Sequence, residues 1–178
     1  ITDMNAKAAL IGAYSTKYTN PTGMHDDAMY TTARDTAQIA IYAQKNEDFA
    51  RIVKTPKYVM EKTDLRQYRD IYNRNAMISK FYAAGYDERA VGINAGATSS
   101  GGYCTVQMMT DSKTNLSYLA VVMGAEENEA EKKIYSYENA KALLDWAFAS
   151  FTYTEVLSTD KVVCEIPVSL SSAVDYVT

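Results

Sequence analysis

The chain reads as an α+β fold: an antiparallel sheet packed with helices, followed by the start of a small β domain. Three observations carry that reading. Between Ala90 and Met123, three strand-like stretches follow one another through turns. From Glu126 to Phe151 the apolar period changes to 3.6, the signature of a helix with one buried stripe. Beyond Phe151 the texture shifts to Thr, Ser and Val, and Cys164, Ile166, Val168 and Leu170 alternate with Glu165, Pro167 and Ser169. The 178 residues suffice for one sizeable core and part of a second. We therefore divide the chain into 1–151 and 152–178, with the boundary near Thr152 to Thr159 and a truncated β unit after it.

Composition excludes several function classes. Hydrophobic residues make up 47% and charged residues 22%, ordinary for a globular protein. The net charge of −4, with no Lys/Arg cluster, leaves no electrostatic footprint for nucleic acid. No run of apolar residues is long enough to span a membrane, so a membrane would be reached only through segments outside these residues. The opening Ile1-Thr2-Asp3-Met4 lacks an initiator Met and a signal peptide, which suggests a piece of something longer or a processed product. A single histidine and the absence of a Cys-x-x-C pair argue against a metal site, and no cofactor motif is present. Cys104 and Cys164 lie in strand-like runs and read as two buried free thiols, the alternative being a disulfide, which needs a geometry that sequence does not supply.

In chain order, Met4 to Ile11 carries Ala and Leu at helical spacing. Asn20-Pro21-Thr22-Gly23 is a turn, because Pro21 fixes φ and Gly23 tolerates positive φ. A helix should start near Thr31, capped by Thr32 with Asp35 three residues on, and bury Ala33, Ala37, Ala40 and Ile41. A second helix from Asn46 should bury Phe49, Ile52 and Val53 and stop at Thr55-Pro56. Lys57–Met60 and Gln67–Tyr72 look like short strands around a polar turn. Asn75–Tyr82 reads as a short helix with Met77, Ile78 and Phe81 inward.

The stretch from Ala90 to Val106 follows, with Val91 and Ile93 alternating against Gly92 and Asn94, and a turn rich in Gly, Ser and Thr supplied with backbone freedom by Gly96, Gly101 and Gly102. From periodicity alone it is an ordinary β-hairpin. Leu116–Met123 is so apolar that it should be the central strand. The long helix should begin at the acidic run Glu126-Glu127-Asn128-Glu129, favoured by the macrodipole, and bury Leu144, Trp146, Phe148 and Phe151 against the sheet.

The wording of several stretches is more specific than their periodicity. Gly96, Thr98, Gly102, Tyr103 and Cys104 match the places of a Lys-Thr-Gly-x-Thr motif and the Ala-Gly-Tyr-Cys that follows it, a triplet known as a signature of penicillin-binding proteins. Upstream, Asn20-Pro21-Thr22-Gly23-Met24 and Thr32-Ala33-Arg34-Asp35 match a Phe-x-Asn-Pro-x-Gly-Leu turn and a Ser/Thr-Ala-Arg-Asp helix start, and Tyr18 takes the aromatic place. Thr55, Tyr58 and Asn73-Arg74-Asn75 also fit. In this order the chain resembles the serine D-alanyl-D-alanine carboxypeptidases, the low-molecular-mass penicillin-binding proteins, from Met4 to Phe151.

The resemblance implies a partial serine-β-lactamase/penicillin-binding-protein-like fold. It makes 1–151 the C-terminal part of the transpeptidase domain and 152–178 the linker and first strand of the family's C-terminal β domain. It implies a hydrolase in the bacterial cell envelope or outside the cell, acting on peptidoglycan stem peptides through an acyl-enzyme and reactive to β-lactams. The family's nucleophile motif Ser-x-x-Lys and its Ser-x-Asn motif are absent, so no catalytic residue is assigned here and this segment by itself should be inactive. Ser158-Thr159-Asp160-Lys161 and Lys113-Thr114-Asn115 match motifs only by chance. The substrate-binding residues that the resemblance implies are Asn94, Ala95, Gly96 and Thr98.

Two of these depart from the pattern. Asn94 stands where the family has Lys, and Ala95 where it has Thr. Replacing a charge-assisted bond and a hydroxyl bond to a substrate carboxylate should cost about 2–4 kcal/mol, a hundredfold or more. Arg89, five residues earlier, should point to the opposite face and be no substitute. The alternative to an enzyme is therefore a degenerate cell-wall-binding or scaffold homologue; a penicillin-hydrolysing relative fits less well. His25-Asp26 lacks a serine partner and reads as part of a turn, Asp64, Arg66, Arg69 and Asp70 as exposed strand charges, and Arg34-Asp35 as a helix-start pair. The loop Tyr82–Tyr86 borders the hairpin and is a further candidate for touching a ligand.

Overall fold

A computed structural model describes residues 1–80, 85–130 and 133–152, together with the backbone of 166–167 and 176–177. Helix α1 spans Thr2–Leu10, α2 Ala33–Gln44 and α3 Glu47–Lys54. Strands β1 (Lys57–Met60) and β2 (Arg69–Tyr72) form an antiparallel hairpin. Strands β3 (Ala90–Thr98), β4 (Gly102–Thr110) and β5 (Ser117–Ala125) form an antiparallel meander in the order β3-β4-β5. A two-residue pairing of β6 (Glu127–Asn128) with β7 (Lys133–Ile134) leads into α4 (Tyr135–Ser150). The last pairing, β8 (Ile166–Pro167) with β9 (Tyr176–Val177), lies in the region expected to open a β unit. The expected boundary, and Cys164 with it, fall on 153–165, outside the described residues.

The helix starts follow their capping residues. Thr32 accepts from the backbone N–H of Asp35 at 3.1 Å, and Asn46 accepts from that of Phe49 at 2.9 Å. The Asn20 carbonyl oxygen accepts from Thr22 N–H and Gly23 N–H, closing the expected turn with Gly23 at φ 76°.

Helix α4 covers one face of the three-stranded sheet. Ala140 and Leu144 close over Met109, Ala120 and Ala90, and Met77 and Ile78 complete this core. Tyr118 meets Phe148 edge to face at 4.9 Å. Helices α2 and α3 lie against the other face. There Gly92, at φ 116°, allows the closest approach: a Cβ at this position would sit 3.1 Å from the Val53 carbonyl oxygen.

Several expectations need correction. Strand β4, not β5, is central among the described strands, because β5 pairs only with β4. The alternation of Val91 to Asn94 is broken by a bulge between Ala90 and Gly92, so Gly92 and Ile93 are both buried. Of Gly96, Gly101 and Gly102, only Gly102 has positive φ, at 62°. The acidic run is not a helix start: Glu127 and Asn128 are paired in β6, and the helix begins at Tyr135. Residues 76–78 form a turn rather than a helix; Met77 and Ile78 point inward, and Phe81 lies outside the described residues. Ala33, Ile41 and Ile52 are exposed, as are Leu143, Trp146 and Phe151. Periodicity identified these apolar stripes, but among the described residues nothing covers their outer edges. Trp146 instead meets Phe151 edge to face at 5.3 Å.

Candidate functional site

A groove of about 540 Å³ runs between the outer half of β3 and the start of α2. Its wall is made by Asn94, Ala95, Gly96, Ala97 and Thr98, and its opposite side by Thr31, Thr36, Thr22 and Gly23. Val106, Val121 and Met123 of the neighbouring strands floor it. All four residues expected to bind substrate therefore line one cleft.

Register explains their orientation. Asn94 pairs with Val106, Gly96 with Cys104 and Thr98 with Gly102, placing these pairs on the face opposite Met109 and Ala120. Asn94, Gly96 and Thr98 are exposed, and Ala95 is half-buried. A Cβ at Gly96 would meet no atom within 4 Å, so its missing side chain leaves open space along the strand. Thr98 Oγ1 accepts from the Gly101 N–H at 2.9 Å, which fixes the hairpin end. Strand β3 pairs only with β4 among the described strands, leaving its outer edge available for an extended chain.

A buried polar chain holds β3 from behind. Asn75 and Gln107 exchange amide hydrogen bonds, both at 3.0 Å. Gln107 Nε2 also donates to Thr105 Oγ1 at 2.5 Å, and Thr105 Oγ1 donates to the Asn94 carbonyl oxygen at 3.2 Å. All three side chains are almost fully buried, so each depends on the next for its partner. Asn73 anchors the same segment through Val53 O and Thr55 O. The sequence reading noted Asn73 and Asn75 but missed Gln107. The available signal was a polar amide set between Val106 and Met108-Met109.

The far side is fixed by Asp35. Its buried carboxylate accepts from Ser15 N–H at 2.6 Å and Thr16 Oγ1 at 2.8 Å. Thr16 and Thr31 share a hydroxyl hydrogen bond at 2.9 Å, and Thr31 shares another with Thr36 at 3.3 Å. Asp35 thus ties the loop after α1 to the threonines of the groove, a larger role than a helix-start pair. Arg34 is exposed and lines a separate depression with Ile11, Gly12 and Gln38.

Charge is arranged around the groove rather than in it. Arg89 forms ion pairs with Asp87 at 2.8 Å and Asp145 of α4 at 2.6 Å, and Lys141 of α4 meets Asp87 at 2.5 Å. Arg89 hydrogen bonding, joined by Lys141, holds the Asp87 carboxyl well below the usual carboxylate range. Arg89 lies before β3 and reaches α4, where its guanidinium sits 5.6 Å from the Phe148 ring, so it does not serve Asn94. At the hairpin end, Tyr103 donates to Glu127, and that bond pushes its phenol pKa up.

The other candidates lie elsewhere. His25 pairs with Asp27 at 3.1 Å on the surface, while Asp26 accepts from Ala28 N–H. Asp64, Arg66, Arg69 and Asp70 are exposed, and Asp70 pairs with Lys57 at 2.8 Å. Lys113-Thr114-Asn115 is a turn closed by Asp111. Ser158–Lys161 and residues 82–84 of the candidate loop lie outside the described residues. Cys104 is a half-buried free thiol at the groove. Among the described residues, no cluster of His, Cys, Asp or Glu could hold a metal ion, and no helix is long and apolar enough to cross a membrane.

Comparison with known proteins gives one consistent family. The family model described as D-alanyl-D-alanine carboxypeptidase matches residues 1–127. The Bacillus subtilis D-alanyl-D-alanine carboxypeptidase DacF is 29% identical, over 93% of this chain and 39% of its own length. The Haemophilus influenzae carboxypeptidase DacA is 27% identical, over 91% of this chain and 37% of its own. The chain thus spans about two-fifths of the curated relatives it matches. Among solved structures, an evolved putative penicillin-binding protein homolog from Mycobacterium tuberculosis superposes with a TM-score of 0.71 at 26% identity, over 88% of this chain and 56% of that one. A mutant of the Streptomyces K15 DD-transpeptidase gives 0.68 at 26% identity, over 84% and 54%.

Proposed function

The chain belongs to the D-alanyl-D-alanine carboxypeptidase family, and on that premise we propose that its groove is the sheet-side wall of a peptidoglycan stem-peptide site. The observation that carries this reading is the convergence of Asn94, Gly96 and Thr98, the residues at the third-motif positions, on one cleft facing Thr31 and Thr36. An extended peptide laid along the outer edge of β3 would receive main-chain hydrogen bonds from the strand. The open space at Gly96 lets its backbone approach. The groove floor of Val106, Val121 and Met123 suits small apolar side chains such as the methyl groups of alanine.

In the whole protein, this wall would orient the peptide carbonyl for attack by a serine outside these 178 residues. The resulting acyl-enzyme would be hydrolysed, and the same serine would be acylated by β-lactams. Such a protein acts at the bacterial cell wall. The role of the present residues is binding and orientation.

A second reading is favoured by one specific observation: position 94 carries an amide and position 95 a methyl group. A homologue that binds cell-wall peptide without turnover would need neither a cation nor a hydroxyl there. Intact mass of the full-length protein, with and without excess penicillin, separates the two. One adduct per chain supports the enzyme. No adduct on protein shown to be folded overturns it in favour of the binding homologue.

A further inference from the structure

The groove is electrically neutral. Among the described residues its side chains are Thr, Val, Met, Cys, Ala and Asn, with no Lys, Arg or His. A carboxylate moved from water into such a site needs a cation or several charge-assisted donors to offset its lost hydration. Arg89 and Lys141 are committed to Asp87 and Asp145, and Arg34 is exposed beside a different depression and does not line the groove. The charge at the hairpin end is negative, because Glu127 accepts from Tyr103 there.

Asn94 is the exposed polar side chain at the position that would meet the peptide terminus. Its amide offers a donor and an acceptor together, the complement of another amide and not of a carboxylate, which only accepts. Thr98 Oγ1 accepts from Gly101 N–H, so its hydroxyl proton is a neutral donor on the same strand. Ala95 adds none.

We propose that the groove selects a peptide that is uncharged where it meets Asn94, a carboxamide or a peptide bond prolonged past that point, over a peptide ending there in a free carboxylate. This inference rests on the reading of the groove as a stem-peptide site. It sets the specificity of that site through the amide at position 94.

The test measures binding of three N-acetylated peptides to the full chain by titration calorimetry. One ends in D-Ala-D-Ala free acid, the second in its carboxamide, and the third carries one further residue. The expected result is that the amide or the prolonged peptide binds tighter than the acid, by about threefold or more. Asn94→Lys should shift the preference toward the acid by about tenfold. If both neutral peptides bind, the site recognises the amide itself; if only one does, that one identifies the source. An acid that binds the wild-type chain as tightly as both neutral peptides, or tighter, overturns the inference and leaves the stem-peptide reading standing. Failure of all three to bind a folded chain overturns both. A salt series gives an independent readout: affinity for the acid should hold steady as salt rises, because no ion pair is formed, and a steep loss contradicts the proposal.

Discussion

Thr105 Oγ1 donates to the backbone carbonyl oxygen of Asn94 at 3.2 Å, joining the residue at the groove wall to the buried interior of the sheet. Behind Thr105 stands Gln107, and behind Gln107 stands Asn75. Position and orientation of β3 therefore depend on a polar chain that starts in the loop after β2 and ends at the groove.

Replacing Gln107 by Leu removes the middle of that chain and leaves Asn75 and Thr105 buried without it. The expected loss is about 2–3 kcal/mol, read as a lower urea midpoint with an unchanged slope. The double variant Asn75→Leu with Gln107→Leu should recover part of it, because two apolar groups leave no amide orphaned. A single variant as stable as wild type would show that the chain contributes nothing net.

Gly92→Val tests the approach of α3 to the sheet. The substitution meets both a φ of 116° and the Val53 carbonyl oxygen 3.1 Å from the new Cβ. A loss of about 2 kcal/mol or more in thermal or urea unfolding is expected. Gly96→Ala, whose Cβ meets nothing within 4 Å, should leave stability nearly unchanged and weaken peptide binding instead.

Asp87 predicts an acid dependence. Its folded pKa is depressed below the unfolded value of about 3.9, so its stabilisation is fully present above that value. It is lost as pH falls through the lower folded pKa. Because Arg89, Lys141 and Asp145 remain partly exposed, Asp87→Asn should cost only about 1–2 kcal/mol at neutral pH. Urea midpoints at neutral and strongly acidic pH should converge for the wild-type and variant chains. A gap that widens on acidification would contradict the assignment.

The sequence revealed the elements that local rules specify. Thr32 and Asn46 named the helix starts because a side-chain oxygen three residues before an orphan N–H is a local arrangement. The hairpin and the groove residues were legible from motif order, which fixes register across the whole segment. What local reading missed was non-local. The 3.6 period and the acidic run predict a helix start near Glu126, while the pairing of Glu127 with Ile134 that overrides it joins residues across a turn. Exposure of Ile41, Ile52 and Trp146 depends on what packs over them, which a stripe cannot state. The groove itself needed Thr31 and Thr36 to be brought opposite β3, and the tie of Asp35 to Ser15 and Thr16 that does this spans twenty residues.

Converting Asn94 to Lys and Ala95 to Thr in the full-length protein restores the charge and the hydroxyl of the motif. If acylation occurs, its second-order rate constant with penicillin should rise about tenfold to a hundredfold. An unchanged rate would show that these two positions do not limit the reaction.

The most direct measurement is a map of backbone amide chemical shifts of the full chain as a stem peptide ending in D-Ala-D-Ala, as acid and as carboxamide, is added. Shifts concentrated at Asn94–Thr98 and around Thr31 and Thr36 are the predicted result, since those residues face one another across the groove. Shifts concentrated elsewhere, or none at saturating peptide, would contradict the assignment of this groove as the peptide site.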